Sequence, residues 1–138
     1  MRTIAPVAAL LLVLALAGCT GTQSSSKSFE GDKGAVADVV GELQSASQRR
    51  NADKICSELL ARSLLDSFKT SGGDCVREID KAVSDVDDPT LEVQAVTITG
   101  ATATARVKGL IDGRDAVSTL GFAREDKKWR ISDFGGTS

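Results

Sequence analysis

The chain has 138 residues, of which 41% are hydrophobic and 26% are charged, a composition typical of a globular protein rather than a disordered or fibrous one. Its formal net charge of -2 does not supply the basic surface that a nucleic-acid partner requires. Histidine and tyrosine are both absent, so any acid-base chemistry would have to rest on carboxylates, lysine or cysteine. We therefore expect no enzyme and no nucleic-acid partner.

The first 18 residues have the pattern of an export signal. Arg2 supplies a positive charge, and residues 7 to 16 form an apolar run that is too short to span a bilayer core of ~30 Å. The sequence Leu-Ala-Gly-Cys that ends at Cys19 resembles the bacterial lipobox, whose cysteine receives a diacylglycerol. The resemblance implies cleavage before Cys19 and a lipid anchor in the cell membrane, facing outside the cytoplasm. The alternative is an ordinary cleavable signal with a cysteine that happens to follow it.

Residues 19 to 31 are predicted to be the lipidated cysteine and a tether. Gly, Ser and Thr dominate residues 21 to 28, a composition typical of a flexible linker. Two acyl chains hold a protein firmly, at about 0.8 kcal/mol per buried methylene, so no further membrane helix is needed. Residues 32 to 138 are of the right length for a single domain.

Cys56 and Cys75 are the two cysteines that remain after lipidation. An even pair in an exported domain predicts a disulfide, here between residues 19 positions apart. A redox pair would need a CxxC spacing, and a metal site would need histidine ligands, and the sequence has neither. We expect a structural disulfide, and no metal or cofactor.

The first half of the domain has helical periodicity. Three helices are predicted, and they start at the capping residues Asp32, Asn51 and Asp74. The first helix runs to about Arg50. Between the second and third helices, residues 63 to 68 are predicted to form a shorter turn.

From Thr90 onward the apolar period changes from about 3.6 to 2, which predicts strands. A change of parity in the first strand predicts a bulge near Ala95 and Val96. The turn pair Asp112-Gly113 lies within a connection from residue 109 to 115. Four strands are predicted, over residues 91 to 98, 101 to 108, 116 to 124 and 129 to 134. Helices followed by strands indicate an α+β domain with helices on one face of an antiparallel sheet.

The order of elements and the ending of the domain resemble the nuclear transport factor 2-like superfamily. The ending is a charged turn, residues 125 to 128, followed by Trp-Arg-Ile-Ser-Asp-Phe, residues 129 to 134. The resemblance implies three N-terminal helices packed on a curved, cone-like, four-stranded antiparallel sheet. Small actinobacterial lipoproteins with this fold look similar, and the compact strand region implies a shallow cone.

The large apolar residues are candidates for lining the concave face and contacting a hydrophobic ligand. The alternative is that they form the core, because a chain with so few aromatic residues needs most of them for packing. The candidates are Phe68, Leu120, Phe122, Trp129 and Phe134.

Carboxylates are the alternative source of chemistry. Enzymes of this fold place Asp, His or Tyr inside the cone, and Asp112, Asp115 and Asp133 are the carboxylates nearest the expected rims. Each is also typical of a turn or cap. The acidic run from Asp85 to Asp88 lacks the glycine and distal glutamate of an EF-hand loop, so it does not predict a metal site.

The sequence thus predicts a lipid-tethered, non-catalytic accessory module that binds an envelope protein or a small apolar ligand. The alternative is an isomerase or dehydratase that uses a buried carboxylate in the cone. A third hypothesis is a spacer whose cone is filled by side chains. Homodimerisation through the open sheet face is a further expectation, and an exposed apolar patch on the strands would favour it.

Overall fold

The computed structural model describes residues 29–111 and 113–135, which form four helices followed by a four-stranded sheet. The predicted export signal, Cys19 and almost all of the predicted tether lie outside these residues. No helix in the described part of the chain is both long and apolar enough to cross a membrane. The predicted α+β fold class is confirmed.

The helices occupy residues 31 to 84. Their bounds are α1 Gly31–Gln48, α2 Ala52–Lys54, α3 Arg62–Thr70 and α4 Cys75–Ser84, and α2 continues as one π-helical turn, Ile55–Leu59. The predicted caps are confirmed at Asn51 and Asp74, whose side chains accept hydrogen bonds from the backbone amides of Lys54 and Arg77, both at 3.0 Å.

Two helical boundaries differ from the expectation. The first helix begins at Gly31, so Asp32 lies in its first turn instead of capping it, where a carboxylate still interacts favourably with the helix dipole. The segment expected to be a shorter turn is the nine-residue helix α3. Its N-cap, Ala61, offers no side-chain acceptor, and the carboxylate of Glu125 accepts a hydrogen bond from the backbone amide of Arg62 instead.

The sheet is antiparallel, with strand order β1-β2-β3-β4. The strands are β1 Thr90–Thr99, β2 Thr102–Ile111, β3 Arg114–Glu125 and β4 Lys128–Asp133. The predicted bulge in β1 is present one position early: the register shifts between Val93 and Ala95, which leaves Gln94 as the extra residue. Ala95 consequently faces solvent, and Val96 returns to the core. Ile111 pairs with Arg114, so the second connection is shorter than expected.

The core lies between the helices and the concave face of the sheet. Small side chains of β2, Ala103, Ala105 and Val107, are buried there and let the helices approach the sheet closely. Both outer strands are contacted by other parts of the chain. Ala61 donates its backbone amide to the carbonyl of Ile131 in β4 at 2.8 Å, and α1 packs along β1.

Candidate functional site

A cavity of about 320 Å³ lies where α1 and α4 meet the ends of β1 and β2. Every residue that lines it is uncharged, and only two carry a side-chain hydroxyl. The lining comprises Leu43, Ser47, Ile55, Ile79, Ala82, Val83, Val86, Pro89, Thr90, Leu91, Leu110 and Phe134. A space of this size and character is suited to a small apolar molecule.

The helices supply the deeper wall through their ordinary periodicity. Leu43 and Ser47 lie four residues apart in α1, so they share one face of that helix. Ile79 and Val83 share a face of α4 in the same way. Ile55, in the π-helical turn, lies on the floor and is fully buried.

The exposure of the lining residues increases from the floor to the rim. Leu43, Ile55 and Val83 are buried, whereas Ala82 and Leu110 are exposed. Leu110, with 42% of its surface accessible, is the only large hydrophobic residue among residues 29–110 and 113–135 that is so exposed. The cavity therefore has a closed floor and an open, apolar rim. The homodimer expected from the sequence stays a prediction.

The segment that follows β4 contributes the last wall. Phe134 follows β4 and is half-buried against the core. Gly135 has a φ of 64° and passes so close to Thr119 that a Cβ would collide with its carbonyl oxygen. The Gly135 amide also donates a hydrogen bond to Asp133 at 2.8 Å, and this turn fixes the direction in which Phe134 leaves the sheet.

Of the five residues expected to face a ligand, only Phe134 lines the cavity. Leu120, Phe122 and Trp129 are at most 5% exposed and belong to the closed core. Phe68 is half-buried against that core from α3 and does not line the cavity either. These four residues do not line the cavity because of where they lie. The inner face of β3 and β4 lies beneath the packed helices, whereas the cavity lies beside the start of β1 and the end of β2.

Of the carboxylates considered for catalysis, Asp115 and Asp133 are exposed. Asp115 forms an ion pair with Lys108 at 3.0 Å, and Asp133 accepts the turn hydrogen bond from Gly135. Asp112 lies outside the described residues. No carboxylate is buried in the described part of the chain, so the sealed carboxylate that an isomerase mechanism needs is not found there. Nor do the described residues hold a cluster of three potential metal ligands; Asp85, Asp87 and Asp88 are exposed.

Cys56 and Cys75 form the expected disulfide, with their Cα atoms 6.1 Å apart. Cys56 follows Ile55 in the π-helical turn, and Cys75 is the first residue of α4. The bond therefore joins two segments that both supply walls of the cavity. A structural role for the pair is consistent with this position.

No family model matches the sequence, and no curated protein matches it. Solved structures do match. A proposed dehydratase of the NTF2-like family from Streptomyces avermitilis has a TM-score of 0.56 at 17% identity, covering 72% of this chain and 90% of that chain. A proposed NTF2-like transpeptidase from Campylobacter jejuni has a TM-score of 0.52 at 17% identity, covering 70% and 96%.

A third match is a phospholipid-binding protein from Ralstonia solanacearum, determined in complex with a phospholipid. Its TM-score is 0.52 at 10% identity, and the match covers 75% of this chain and 76% of that chain. These likenesses establish that the chain has the nuclear transport factor 2-like cone fold, as the order of its elements and its final strand predicted.

Proposed function

We propose that this protein is a lipid-anchored accessory module that holds a small apolar ligand in its cavity, outside the cytoplasmic membrane. The observation that carries the proposal is the cavity itself, whose lining contains no charged residue. Transfer of an apolar ligand from water into such a space is favourable by roughly 25 cal/mol per Å² of apolar surface removed from water.

The size of the cavity sets the size of the ligand. Its volume of about 320 Å³ lies at the lower end of the range for ligand sites. One compact apolar molecule or one acyl chain is the occupant that this volume favours. The phospholipid-binding neighbour from Ralstonia solanacearum supports this choice, since a protein of the same fold is known with a lipid bound.

Binding without catalysis fits the chemistry of the cavity wall. General acid-base catalysis requires a titratable group within hydrogen-bond reach of the reacting atoms. The only polar side chains in the lining are the hydroxyls of Ser47 and Thr90, and neither has a base beside it in the lining. The proposed dehydratase and transpeptidase among the neighbours share the fold, and the fold alone does not carry their chemistry.

The proposed anchor suits an accessory role. A lipid at Cys19 would confine the domain to a thin layer beside the membrane and raise its effective concentration toward other envelope proteins. The anchor is tested by intact mass spectrometry of the full chain purified from a native membrane fraction. Cleavage before Cys19 with an added acyl-sized mass is the expected result, and an unacylated mature chain would contradict it.

Ligand binding is tested on the full chain in polymer-bounded membrane discs, with empty discs as the blank. The probe is 11-dansylaminoundecanoic acid, which carries one fluorescent group on one alkyl chain. We expect saturable binding at one probe per chain. The variant Ala82→Phe, which places a ring at the rim, should weaken binding at least tenfold.

The matched control is Ala35→Phe, another exposed alanine in a helix, outside the cavity lining. It should bind the probe as the unaltered chain does. Equal probe binding by both variants, or no saturable binding by the unaltered chain, would refute the ligand-binding proposal.

A further inference from the structure

The cavity and the point at which the chain enters the domain lie at opposite ends of α1. Phe29, the first described residue, is half-buried beside the start of this helix. Leu43 and Ser47, which line the cavity, come 12 and 16 residues after Gly31. At 1.5 Å per helical residue, these positions are about 18 and 24 Å from the entry point.

The sheet gives an independent measure of the same separation. Asp32 in the first turn of α1 forms an ion pair with Arg124, near the end of β3, at 3.5 Å. Leu110, at the rim of the cavity, pairs with Asp115, near the start of β3. Nine residue steps along the strand separate Asp115 from Arg124, which corresponds to about 30 Å. The two measures agree that the entry point and the cavity rim are far apart.

We infer that the cavity opens away from the anchoring bilayer and takes its ligand from the aqueous side. The ligand class is then a single-chain amphiphile or a compact apolar molecule that disperses in water, not a two-chain lipid of the bilayer that holds the anchor. This inference rests on the proposed function, because it requires both the anchor at Cys19 and a ligand in the cavity.

The covalent length of the chain supports this orientation. Ten residue steps join Cys19 to Phe29, and a chain of that length spans at most roughly 35 Å. To bring the rim to the bilayer, this segment would have to run back along the domain for the 18 to 30 Å estimated above. It would then be held at roughly half to nine-tenths of its full length, and each residue held in one conformation costs about 1–2 kcal/mol of conformational entropy.

With the cavity opening on the aqueous side, its volume limits the ligand to a single chain or one compact group. A cavity of about 320 Å³ accommodates one compact apolar group. A two-chain lipid would leave its second chain in water, and each exposed methylene forfeits ~0.8 kcal/mol relative to the bilayer. A single-chain molecule incurs no such penalty, because its polar end can remain outside the rim beside Leu110.

The test is photo-cross-linking of the full chain in phosphatidylcholine vesicles. One sample receives a fatty acid with a diazirine in its chain, added from solution. In the second sample, the vesicles themselves contain a two-chain phosphatidylcholine with the same diazirine in one acyl chain. Labelled peptides are located by mass spectrometry, and the variants Ala82→Phe and Ala35→Phe are treated in parallel.

We expect the fatty acid to label peptides that contain Leu43, Ser47 or Val83, and this labelling should fall at least tenfold in Ala82→Phe but not in Ala35→Phe. The two-chain lipid should leave these peptides unlabelled.

Labelling of the same peptides by the two-chain lipid, sensitive to Ala82→Phe, would overturn the orientation and leave the proposed ligand site standing. Labelling by neither probe would overturn the ligand site itself. Intact mass of the same preparation reports the acyl group at Cys19, and its absence would overturn the anchor and this inference with it.

Discussion

The backbone amide of Leu91 donates a hydrogen bond of 2.7 Å to the side-chain oxygen Oε1 of Gln44. Leu91 lies in β1, an edge strand, so no neighbouring strand is available on that side and α1 supplies the acceptor. Leu91 lines the cavity, as do Leu43 and Ser47 in α1. This hydrogen bond therefore holds the strand wall of the cavity against its helix wall.

Replacement of Gln44 by leucine should destabilise the protein by about 1–3 kcal/mol, because the partly buried amide of Leu91 loses its acceptor. Gln48→Leu is the matched control. Its Nε2 donates a hydrogen bond to the carbonyl of Pro89 at an exposed site, where water replaces the lost partner, so we expect a change within ~0.5 kcal/mol. Urea unfolding followed by the fluorescence of Trp129 measures both, and equal losses would contradict the prediction.

Removal of the disulfide should cost much of the stability of the domain. The bond joins residues 19 positions apart, and in the chain-entropy model a loop of this size contributes about 3 kcal/mol. The double variant Cys56→Ala/Cys75→Ala should therefore unfold at a markedly lower urea concentration. Reductant should lower the midpoint of the unaltered chain similarly and leave the double variant unaffected. An unaltered chain that is insensitive to reductant would contradict the structural role.

Ser47→Phe should stabilise the protein while it closes the cavity. Ser47 is half-buried in an otherwise apolar wall, and a phenyl ring there would fill empty apolar space. Cavity filling of this kind commonly stabilises by about 0.5–2 kcal/mol. Ser63→Phe, on the exposed surface of α3, serves as the control and should not raise the thermal midpoint. A fall in the midpoint of Ser47→Phe would show that the site has no space for the ring.

The features that were predictable from the sequence depend on residues close together in the chain. Asn51 and Asp74 cap helices that start at the next residue, and the alternation along β2 alone indicates which of its side chains are buried. The Cys56–Cys75 disulfide followed from the count of cysteines in a domain predicted to be exported.

The features that the sequence left open or described wrongly depend on contacts between distant segments. Alternation identifies Leu120 and Phe122 as inward-facing, but a ligand-facing residue and a core residue produce the same pattern. Which of the two applies depends on how the helices pack over the sheet. The length of α3, which was expected to be a shorter turn, is a second such feature. Its first turn is capped by Glu125, 63 positions away from Arg62.

The ion pair between Lys54 and Glu42 should give the stability a pH dependence. Lys54 Nζ donates a hydrogen bond to the Glu42 carboxylate at 2.6 Å, and this bond, together with the lysine charge, lowers the pKa of Glu42. Because the folded pKa lies below the unfolded one, the stabilisation is present above the unfolded pKa and is lost as the pH falls through the folded pKa.

Glu42→Gln should therefore be less stable than the unaltered chain at pH 7, and the difference should shrink between about pH 5 and pH 3. Asp38→Asn, on the exposed surface of the same helix, is the control. Asp38 joins no ion pair among the described residues, so its variant should show no such convergence. A constant difference for Glu42→Gln across this range would contradict the prediction.

The first turn of α3 depends on a carboxylate from the sheet. The backbone amide of Arg62 donates to both carboxylate oxygens of Glu125, at 2.8 and 3.3 Å. Loss of a helix cap of this type costs about 0.5–2 kcal/mol, which is the destabilisation we expect for Glu125→Ala. Hydrogen exchange at the first amides of α3 should accelerate in this variant.

Asp126→Asn tests whether the effect comes from the cap or from the charge of this turn. The Asp126 carboxylate accepts a hydrogen bond from the exposed guanidinium of Arg62 at 3.1 Å, and exposed pairs of this kind contribute at most ~1 kcal/mol. Asparagine also tolerates the φ of 49° at this position, so no backbone strain is added. We expect exchange at α3 to stay unchanged in Asp126→Asn. Equal acceleration in the two variants would assign the effect to charge and refute the cap.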